Sequence, residues 1–241
     1  KKLGAEIKYV SIPMTKFVHD IKTNRWVIIA PGRISRAHDN LLSPPRPGDP
    51  TCPFEPENDA LNEEVFRIGD PWKVRVIKNK YPITDTHEVI VHSPDHQNDI
   101  DQLDLSQVEL ILQTYRARFN AHKAQGQVLI FNNHDVHAGA SISHPHSQLV
   151  VVPNEVKLET MAKEPVENVV VTGSQFTAYC PNFSQWPYEI WLAPKQEGKT
   201  FGEITNEEIA DLAPLLQKIL GYIIERFSEK GQMKQAGSDA N

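Results

Sequence analysis

A polar stretch with two histidines lies between two apolar runs, and this arrangement constrains the fold more than any other feature of the chain. The flanking runs, residues 127–131 and 149–152, are short, rich in β-branched residues and bounded by turn residues. Such runs are typical of β-strands. Between them, residues 138–148 read AGASISHPHSQ. We therefore predict two strands of one sheet with a functional loop beside them.

The residue types in this loop suit a phosphate group. Gly139 allows the backbone to approach a ligand closely. Alternate residues of an extended chain point to the same side, so His144, His146 and Gln148 are predicted to line one side together. Neutral imidazoles can act as base, metal ligand or nucleophile, and an amide can donate to an oxyanion. The alternative interpretation is a pair of packed or surface histidines at the end of a strand.

Composition excludes several classes of protein. The net charge is −6 and the sequence pI is about 5.9, so no basic surface favours nucleic acid or an anionic membrane. No apolar run approaches the ~20 residues of a membrane helix, and no secretory signal is recognised. Two cysteines, Cys52 and Cys180, form no disulfide framework. We predict a cytoplasmic protein without nucleic-acid or membrane partners.

The periodicity of apolar residues predicts an α+β fold with a largely antiparallel sheet and helices on one face. Two helices are predicted from capping boxes at Ser106–Glu109 and Thr205–Glu208, the second ending near Gly231. Pro214 falls inside the second helix, where it is expected to cost about 3 kcal/mol if the helix is regular. Strands are predicted at residues 17–20, 25–30, 72–79, 87–91, 127–131, 149–152, 169–171, 176–179 and 188–192.

The order of elements repeats. A strand at 87–91, a proline-containing loop, a capping box and an amphipathic helix recur from residue 188 onward, which indicates an internal duplication. The second copy has no strand after its helix and no second His-x-His. We therefore predict one complete catalytic unit, residues 1–167, and an incomplete second unit, residues 168–241.

Two groups of polar residues are candidates for a site. The first comprises possible phosphate-binding residues: Arg33, Arg36, Asn79, Asn133 and the loop 139–148. The second could hold a metal ion and comprises Cys52, Glu55, His96 and His144. Zinc takes four such N, S and O ligands in a tetrahedron. The long spacing between these residues is not that of a short zinc finger, and Arg33 and Arg36 could equally be solvated loop residues.

At residues 139–148 the pattern G-x-S-x-x-H-P-H-x-Q resembles the active-site motif of galactose-1-phosphate uridylyltransferases. These enzymes form the transferase branch of the histidine-triad superfamily. Residues 31–36, 52–54, 93–96, 131–133 and 186–189 resemble further motifs of that family in the same order. The resemblance covers roughly residues 17 to 230 and implies a histidine-triad-like fold.

The resemblance also implies roles for the candidate residues. His146 would be the nucleophile that forms a covalent nucleotidyl-imidazole, and a sugar phosphate would then attack it in a ping-pong exchange. Gln148 and Ser141 would bind the phosphoryl oxygens. Arg33 and Arg36 would hold the diphosphate or sugar phosphate, Asn79 and Asn133 the nucleotide. Cys52, His96 and His144 would bind a structural Zn²⁺ that anchors the loop.

Two departures from the family pattern bear on these roles. Glu55 stands where the family often has a second cysteine, although a carboxylate can replace it as ligand. The later strands of the second half, with their second His-x-His pair, are absent. Glu159 lacks the histidine partners of the family's iron site, so no iron is predicted.

The leading hypothesis is a zinc-containing nucleotidyltransferase that acts on a UDP-hexose and a hexose 1-phosphate, in galactose and nucleotide-sugar metabolism. We expect a homodimer, because missing strands would leave an exposed sheet edge. Two alternatives remain open. One is an adenylyl-transferring or phosphorolytic relative that acts on ADP-sugars. The other is an inactive, truncated member that binds nucleotide or zinc.

Overall fold

The computed structural model describes residues 15–35, 51–134, 138–158 and 166–238. Arg36 and Glu159 lie outside the described residues. The ten strands are β1 (Lys16–Asp20), β2 (Arg25–Ile29), β3 (Glu64–Ile68), β4 (Val74–Lys78), β5 (His87–Val91), β6 (Gln127–Phe131), β7 (His146–Val152), β8 (Val169–Thr172), β9 (Phe176–Tyr179) and β10 (Trp191–Pro194). The helices are α1 (Leu105–His122) and α2 (Asn206–Ser238), with short 3-10 helices at Pro31–Ser35, Pro56–Leu61 and Phe201–Glu203.

The described residues form three antiparallel sheets. The largest has the strand order β3-β4-β5-β7-β6, the second is the hairpin β1-β2, and the third has the order β10-β9-β8. Strand β7 lies between β5 and β6. Its seven residues continue the histidine loop directly into the sheet. The predicted α+β fold with a largely antiparallel sheet is confirmed.

Both helices share one hydrophobic core with the five-stranded sheet. Val108 and Ile111 of α1 and Ile209 of α2 are buried in the same cluster as Ile90 of β5 and Leu149 of β7. Each fully buried side chain of this size stabilises the fold by about 1.5–3 kcal/mol. Phe176 and Ala178 of β9 also belong to this cluster. The division into units 1–167 and 168–241 stays a prediction.

Several predicted boundaries differ from those observed. Helix α1 begins at Leu105 after the N-cap Asp104, so Ser106 is not the cap that the sequence suggested. The predicted strand at 188–192 begins only at Trp191. Tyr188 has a φ of 64°, a left-handed conformation that a strand does not accommodate. Strand β3 was not predicted, because its residues mix charged and apolar side chains without a clean alternation.

The second helix begins as predicted. The Thr205 N–H donates to Glu208 Oε2 at 2.7 Å, and the Glu208 N–H donates to Thr205 Oγ1 at 3.2 Å, which forms a capping box. The helix contains Pro214 and continues past Gly231 to Ser238. Within the described ranges, no helix is both long and apolar enough to cross a membrane. A cytoplasmic location stays a prediction.

Candidate active site

Strand β7 sends alternate side chains to opposite faces of the sheet, and one face opens into a cavity of about 350 Å³. His146 and Gln148 line this cavity. The other predicted phosphate- and nucleotide-binding residues within the described ranges line it too, namely Arg33, Asn79, Asn133, Gly139 and Ser141. Lys78, Lys80 and Tyr81, which were not predicted, also line the cavity. The fold thus brings four distant segments of the chain to one cavity.

The imidazole of His146 has a defined orientation. Its Nδ1–H donates to the His144 carbonyl oxygen at 2.8 Å, so Nε2 retains its lone pair. The edge of the ring packs against Phe54, with ring centroids 5.1 Å apart. Burial lowers the pKa of His146 to about 4, so the ring is neutral near pH 7. A neutral imidazole with a free Nε2 is a competent nucleophile or base.

The loop preceding β7 brings its backbone to the cavity. Gly139 has a φ of +87°, in the left-handed region that favours glycine. A Cβ at this position would lie 3.9 Å from Asn133 Nδ2. Across the cavity, Arg33 Nη1 donates to the Tyr81 carbonyl oxygen at 3.0 Å. This bond fixes one end of the guanidinium at the cavity wall.

The four predicted metal ligands form a separate cluster. One ligand atom from each of Cys52, Glu55, His96 and His144 lies within 4.8 Å of all the others. His144 Nδ1 is 4.0 Å from Cys52 Sγ and 3.7 Å from a Glu55 carboxylate oxygen. His96 Nδ1 contacts the same carboxylate oxygen. Tetrahedral zinc requires separations between ligand atoms of about 3.3–3.8 Å, so the donor set fits zinc after small adjustments.

Hydrogen bonds on the outer side of the cluster orient both of its imidazoles. His144 Nε2–H donates to the Ser93 carbonyl oxygen at 2.8 Å. His96 Nε2 is 2.8 Å from Ser143 Oγ, which can accept its proton. The carbonyl partner fixes the His144 tautomer, so its Nδ1 lone pair points into the cluster. When Ser143 accepts from His96, the Nδ1 lone pair of His96 points into the cluster too, as zinc-ligating histidines require.

His144 does not share a face with His146 and Gln148. Strand β7 begins at His146, and His144 lies before it, fully buried in the metal cluster. The alternation of an extended chain therefore does not reach His144, and the prediction from alternation holds only for the other two residues. The sequence alone could not locate the first residue of the strand.

Comparison with known proteins identifies the family. The sequence model of the galactose-1-phosphate uridyl transferase N-terminal domain matches residues 79–153. ADP-glucose phosphorylase of Arabidopsis thaliana is 30% identical over 260 residues, an alignment that covers 87% of this chain and 74% of the relative. This chain belongs to the galactose-1-phosphate uridylyltransferase family. The family is one of nucleotidyltransferases.

Further family members are similar over most of their length. Galactose-1-phosphate uridylyltransferase of Haemophilus influenzae is 26% identical over 246 residues, which covers 81% of this chain and 70% of that protein. The crystal structure of the Arabidopsis thaliana ADP-glucose phosphorylase with bound ADP-glucose is 25% identical, with a TM-score of 0.66, and the match covers 90% of this chain and 79% of that structure. The fold described above is therefore that of the family.

On the opposite face of β7, this family member buries a polar network. Ser147 Oγ lies 2.8 Å from His92 Nε2 and 2.5 Å from the Tyr115 hydroxyl. His92 Nδ1–H donates to Asp99 at 2.7 Å. Burial opposes the charge of Asp99, but hydrogen bonds from His134 and His92 outweigh it and lower the pKa of the carboxyl. The network ties α1 to the strand that carries the candidate nucleophile.

Besides Lys78, Lys80 and Tyr81, sequence reasoning missed a residue that contacts the cavity lining. His87, interpreted only as the first residue of a strand, has its Nε2 3.0 Å from Gln148 Oε1. The two residues are diagonal neighbours, because Val89 pairs with Gln148 and His87 with Val150. The sequence shows His87 as the first residue of a predicted strand. That this residue lies beside Gln148 depends on the register between β5 and β7, which the sequence does not reveal.

Proposed function

We propose that this chain transfers a nucleoside monophosphate from a nucleoside diphosphate hexose through a covalent intermediate on His146, with UDP-hexose as donor and hexose 1-phosphate as acceptor. The free Nε2 of His146, facing a cavity lined by phosphate-binding side chains, carries the proposal. The family relatives named as uridylyltransferases support the choice of donor.

The chemistry proceeds in two displacements. Nε2 of His146 attacks the α-phosphorus, a P–N bond forms, and the bond from phosphorus to the bridging oxygen breaks, with its electron pair leaving on hexose 1-phosphate. A phosphate oxygen of the acceptor then attacks the same phosphorus and releases the imidazole. Because the ring is neutral near pH 7, no proton has to leave Nε2 before the first attack. The Nδ1–H bond to the His144 carbonyl stabilises the positive charge that develops on the ring.

Side chains around the cavity have the polarity that this reaction needs. Gln148 and Ser141 would donate hydrogen bonds to the phosphoryl oxygens, and Arg33 would neutralise the diphosphate. Asn79 and Asn133 would contact the nucleotide. Preorganised donors of this kind contribute most where charge develops in the transition state.

We also propose that Cys52, Glu55, His96 and His144 hold Zn²⁺. With four protein ligands such an ion leaves no open position, so it would supply structural cross-linking rather than chemistry. It would fix the segment that precedes β7, and with it the carbonyl oxygen of His144 that orients His146. Zinc analysis of the purified protein tests this, and a metal-free protein with an unchanged melting temperature and full activity would contradict it.

The direct test is to trap the covalent intermediate. Wild-type protein is incubated with UDP-glucose and analysed by intact-protein mass spectrometry for a UMP adduct. We expect an adduct on the wild type and on the control His19→Ala, an exposed histidine of the β1-β2 hairpin, but none on His146→Ala. An adduct that persists in His146→Ala, or a wild type that forms none with any nucleotide donor, would overturn the proposal.

A second candidate donor is an ADP-hexose. The observation that favours it is the 30% identity to a protein named ADP-glucose phosphorylase, in which inorganic phosphate would take the place of the hexose 1-phosphate acceptor. Equal concentrations of UDP-glucose and ADP-glucose in one incubation distinguish the two donors, because UMP and AMP adducts differ in mass. A predominant AMP adduct would replace the uridylyl proposal with the adenylyl one.

We propose further that two copies of the chain form a homodimer. The β1-β2 hairpin exposes apolar side chains to an unusual degree: Val18, Ile21, Val27, Ile28 and Ile29 are each 40–85% exposed. Such a patch is typical of an interaction surface. Sedimentation velocity at micromolar concentration is expected to show a dimer, and a monomer at that concentration would refute this proposal.

A further inference from the structure

The buried imidazole of His87 contacts two amide side chains that line the cavity, those of Gln148 and Asn79. His87 is 4% exposed. Its Nε2 is 3.0 Å from Gln148 Oε1 and 3.2 Å from Asn79 Nδ2. Its other nitrogen, Nδ1, is 3.1 Å from the backbone nitrogen of Ile83. No part of the proposed mechanism uses this ring.

These contacts fix the tautomer of His87. A backbone N–H is always a donor, so the bond from Ile83 makes Nδ1 an acceptor and places the single ring proton on Nε2. Burial lowers the pKa of His87 to about 4, in agreement with a neutral ring. The Nε2–H therefore donates, and the Gln148 carbonyl oxygen is its acceptor.

The orientation of Gln148 follows from this bond. With its oxygen held by His87, the amide can present only its NH2 group to a ligand in the cavity. The flipped amide would put a carbonyl oxygen against the anionic phosphate. It would also leave the Nε2–H of His87 facing only amide donors, those of Gln148 and Asn79. Asn79 also has a fixed orientation, because its Oδ1 accepts the Tyr81 N–H at 2.8 Å. Its Nδ2 lies 3.2 Å from the protonated Nε2 of His87, and since both atoms are donors this approach is not a hydrogen bond. The Gln148 oxygen is therefore the acceptor for the His87 proton.

We propose that His87 is a positioning residue for nucleotidyl transfer: its Nε2–H locks the Gln148 side chain with the amide NH2 directed at the phosphoryl group transferred to His146. The proposal rests on the function proposed above. Without His87, Gln148 samples both amide orientations and the phosphoryl oxygens lose a preorganised donor for part of the time. The loss of rate on replacing His87 must therefore depend on Gln148, and it should disappear in a variant that lacks the Gln148 side chain.

A double-mutant cycle tests this directly. The rate of adduct formation is measured for wild type, His87→Phe, Gln148→Ala and the double variant. Removing a direct oxyanion donor costs about 10²–10³-fold in rate, and we expect roughly tenfold for His87→Phe because the amide stays in place. In the Gln148→Ala background, His87→Phe should lower the rate of adduct formation by less than about twofold, because the effects of residues that act as a unit are not additive.

Two further variants separate positioning from folding. His87→Gln keeps an N–H donor near the position of Nε2 and should recover most of the lost rate. His122→Phe is the matched control, because this histidine contacts Glu88 from helix α1 and not the cavity; its rate should equal that of wild type. Melting temperatures identify any variant that is simply unfolded. If His87→Phe lowers the rate of adduct formation by the same factor in the wild type and in Gln148→Ala, the proposal is overturned.

The role of His87 can still be tested if the proposed function is wrong. A wild type that forms no adduct refutes covalent transfer, and calorimetric binding of UDP and ADP to the same four proteins then tests His87. Weaker diphosphate binding in His87→Phe, with no additional loss in the Gln148→Ala background, supports positioning. The ¹⁵N NMR spectrum of the imidazoles gives an independent measurement. A His87 ring protonated at Nδ1 rather than Nε2 would refute the proposal.

Discussion

The buried guanidinium of Arg75 provides a quantitative test of how the metal cluster is supported. Arg75 lies on β4 with a side chain only 1% exposed, and it forms an ion pair with Asp59, which is 36% exposed. Its guanidinium carbon lies 4.8 Å from the centre of the Trp72 ring, and Trp72 Nε1–H donates to the other Asp59 oxygen at 3.1 Å. Asp59 belongs to the 3-10 helix that follows Cys52 and Glu55. The ion pair therefore connects the segment that carries two of the predicted metal ligands, Cys52 and Glu55, to the central sheet.

Substitution of Asp59 by Asn removes one charge and almost no volume. Breaking a fully buried ion pair costs about 3–5 kcal/mol, because it leaves an uncompensated charge. Asp59 is partly exposed, and water screens the pair to that extent. We therefore expect a loss of about 2–3 kcal/mol in the free energy of unfolding, which corresponds to a fall of about 5–10 °C in Tm for a chain of this size. Zinc content should fall as well.

Urea denaturation and differential scanning calorimetry measure the loss. Asp85→Asn is the matched control, because Asp85 is exposed between β4 and β5 and its substitution should change stability by less than about 0.5 kcal/mol. The double variant Asp59→Leu/Arg75→Met removes both charges and should be more stable than Asp59→Asn. If Asp59→Asn lowers the free energy of unfolding no more than the control does, the buried charge of Arg75 does not require Asp59 and the reasoning is refuted.

Three further predictions concern the metal, the pH dependence of stability and one close backbone approach. Glu55→Ala should lower the zinc content measured by atomic absorption, whereas the exposed Glu57→Ala should not; equal zinc in both would exclude Glu55 as a ligand. Burial raises the pKa of Glu88, but hydrogen bonds from Arg118 and His122 outweigh it and the net pKa is lowered. The stabilisation from ionised Glu88 is therefore present above the unfolded pKa of about 4.3 and is lost as the pH falls through the folded pKa. In Glu88→Gln, the free energy of unfolding measured by urea denaturation from pH 3 to 7 should therefore fall less steeply at acid pH than in the wild type. Gly126→Ala would place a Cβ 2.5 Å from the Val152 carbonyl oxygen and should destabilise the β6-β7 pair by about 1–3 kcal/mol; a variant as stable as wild type in thermal denaturation would contradict this.

Much of the fold follows from local patterns. The β-branched runs that form β5, β6 and β7 and the capping box of α2 are visible in the sequence, because the period of apolar residues and the need of a helix end for hydrogen bonds act over a few residues. Strand β3 and the true start of α1 were missed. Strand β3 is formed by pairing with β4, and its local propensity is weak. The start of α1 differs because Asp104, another residue type that favours N-caps, precedes Ser106.

The candidate site, like the fold, was predicted in part from the sequence. The types of residue required for phosphate and metal binding, and their order, were evident in the sequence, and so was the family resemblance. Which residues share a site was only partly evident. The alternation of residues 144, 146 and 148 suggested one face, whereas the family resemblance assigned His144 to the metal ligands. In the structure β7 begins at His146, and His144 lies with the other three predicted ligands.

The sequence specifies the chemical groups of the candidate site: the imidazole of the candidate nucleophile, amide and guanidinium donors, and the sulfur, carboxylate and two imidazoles of the predicted metal ligands. Which nitrogen of each imidazole carries its proton depends on contacts in the folded protein. The Ile83 N–H and the Ser93 and His144 carbonyl oxygens select the tautomers of His87, His144 and His146. The Ser93 carbonyl oxygen lies 51 residues from His144 in sequence, whereas Ile83 and His144 lie four and two residues from the histidines that they contact. Backbone conformation sets these two local contacts as well, so the position of each ring proton is a property of the folded structure.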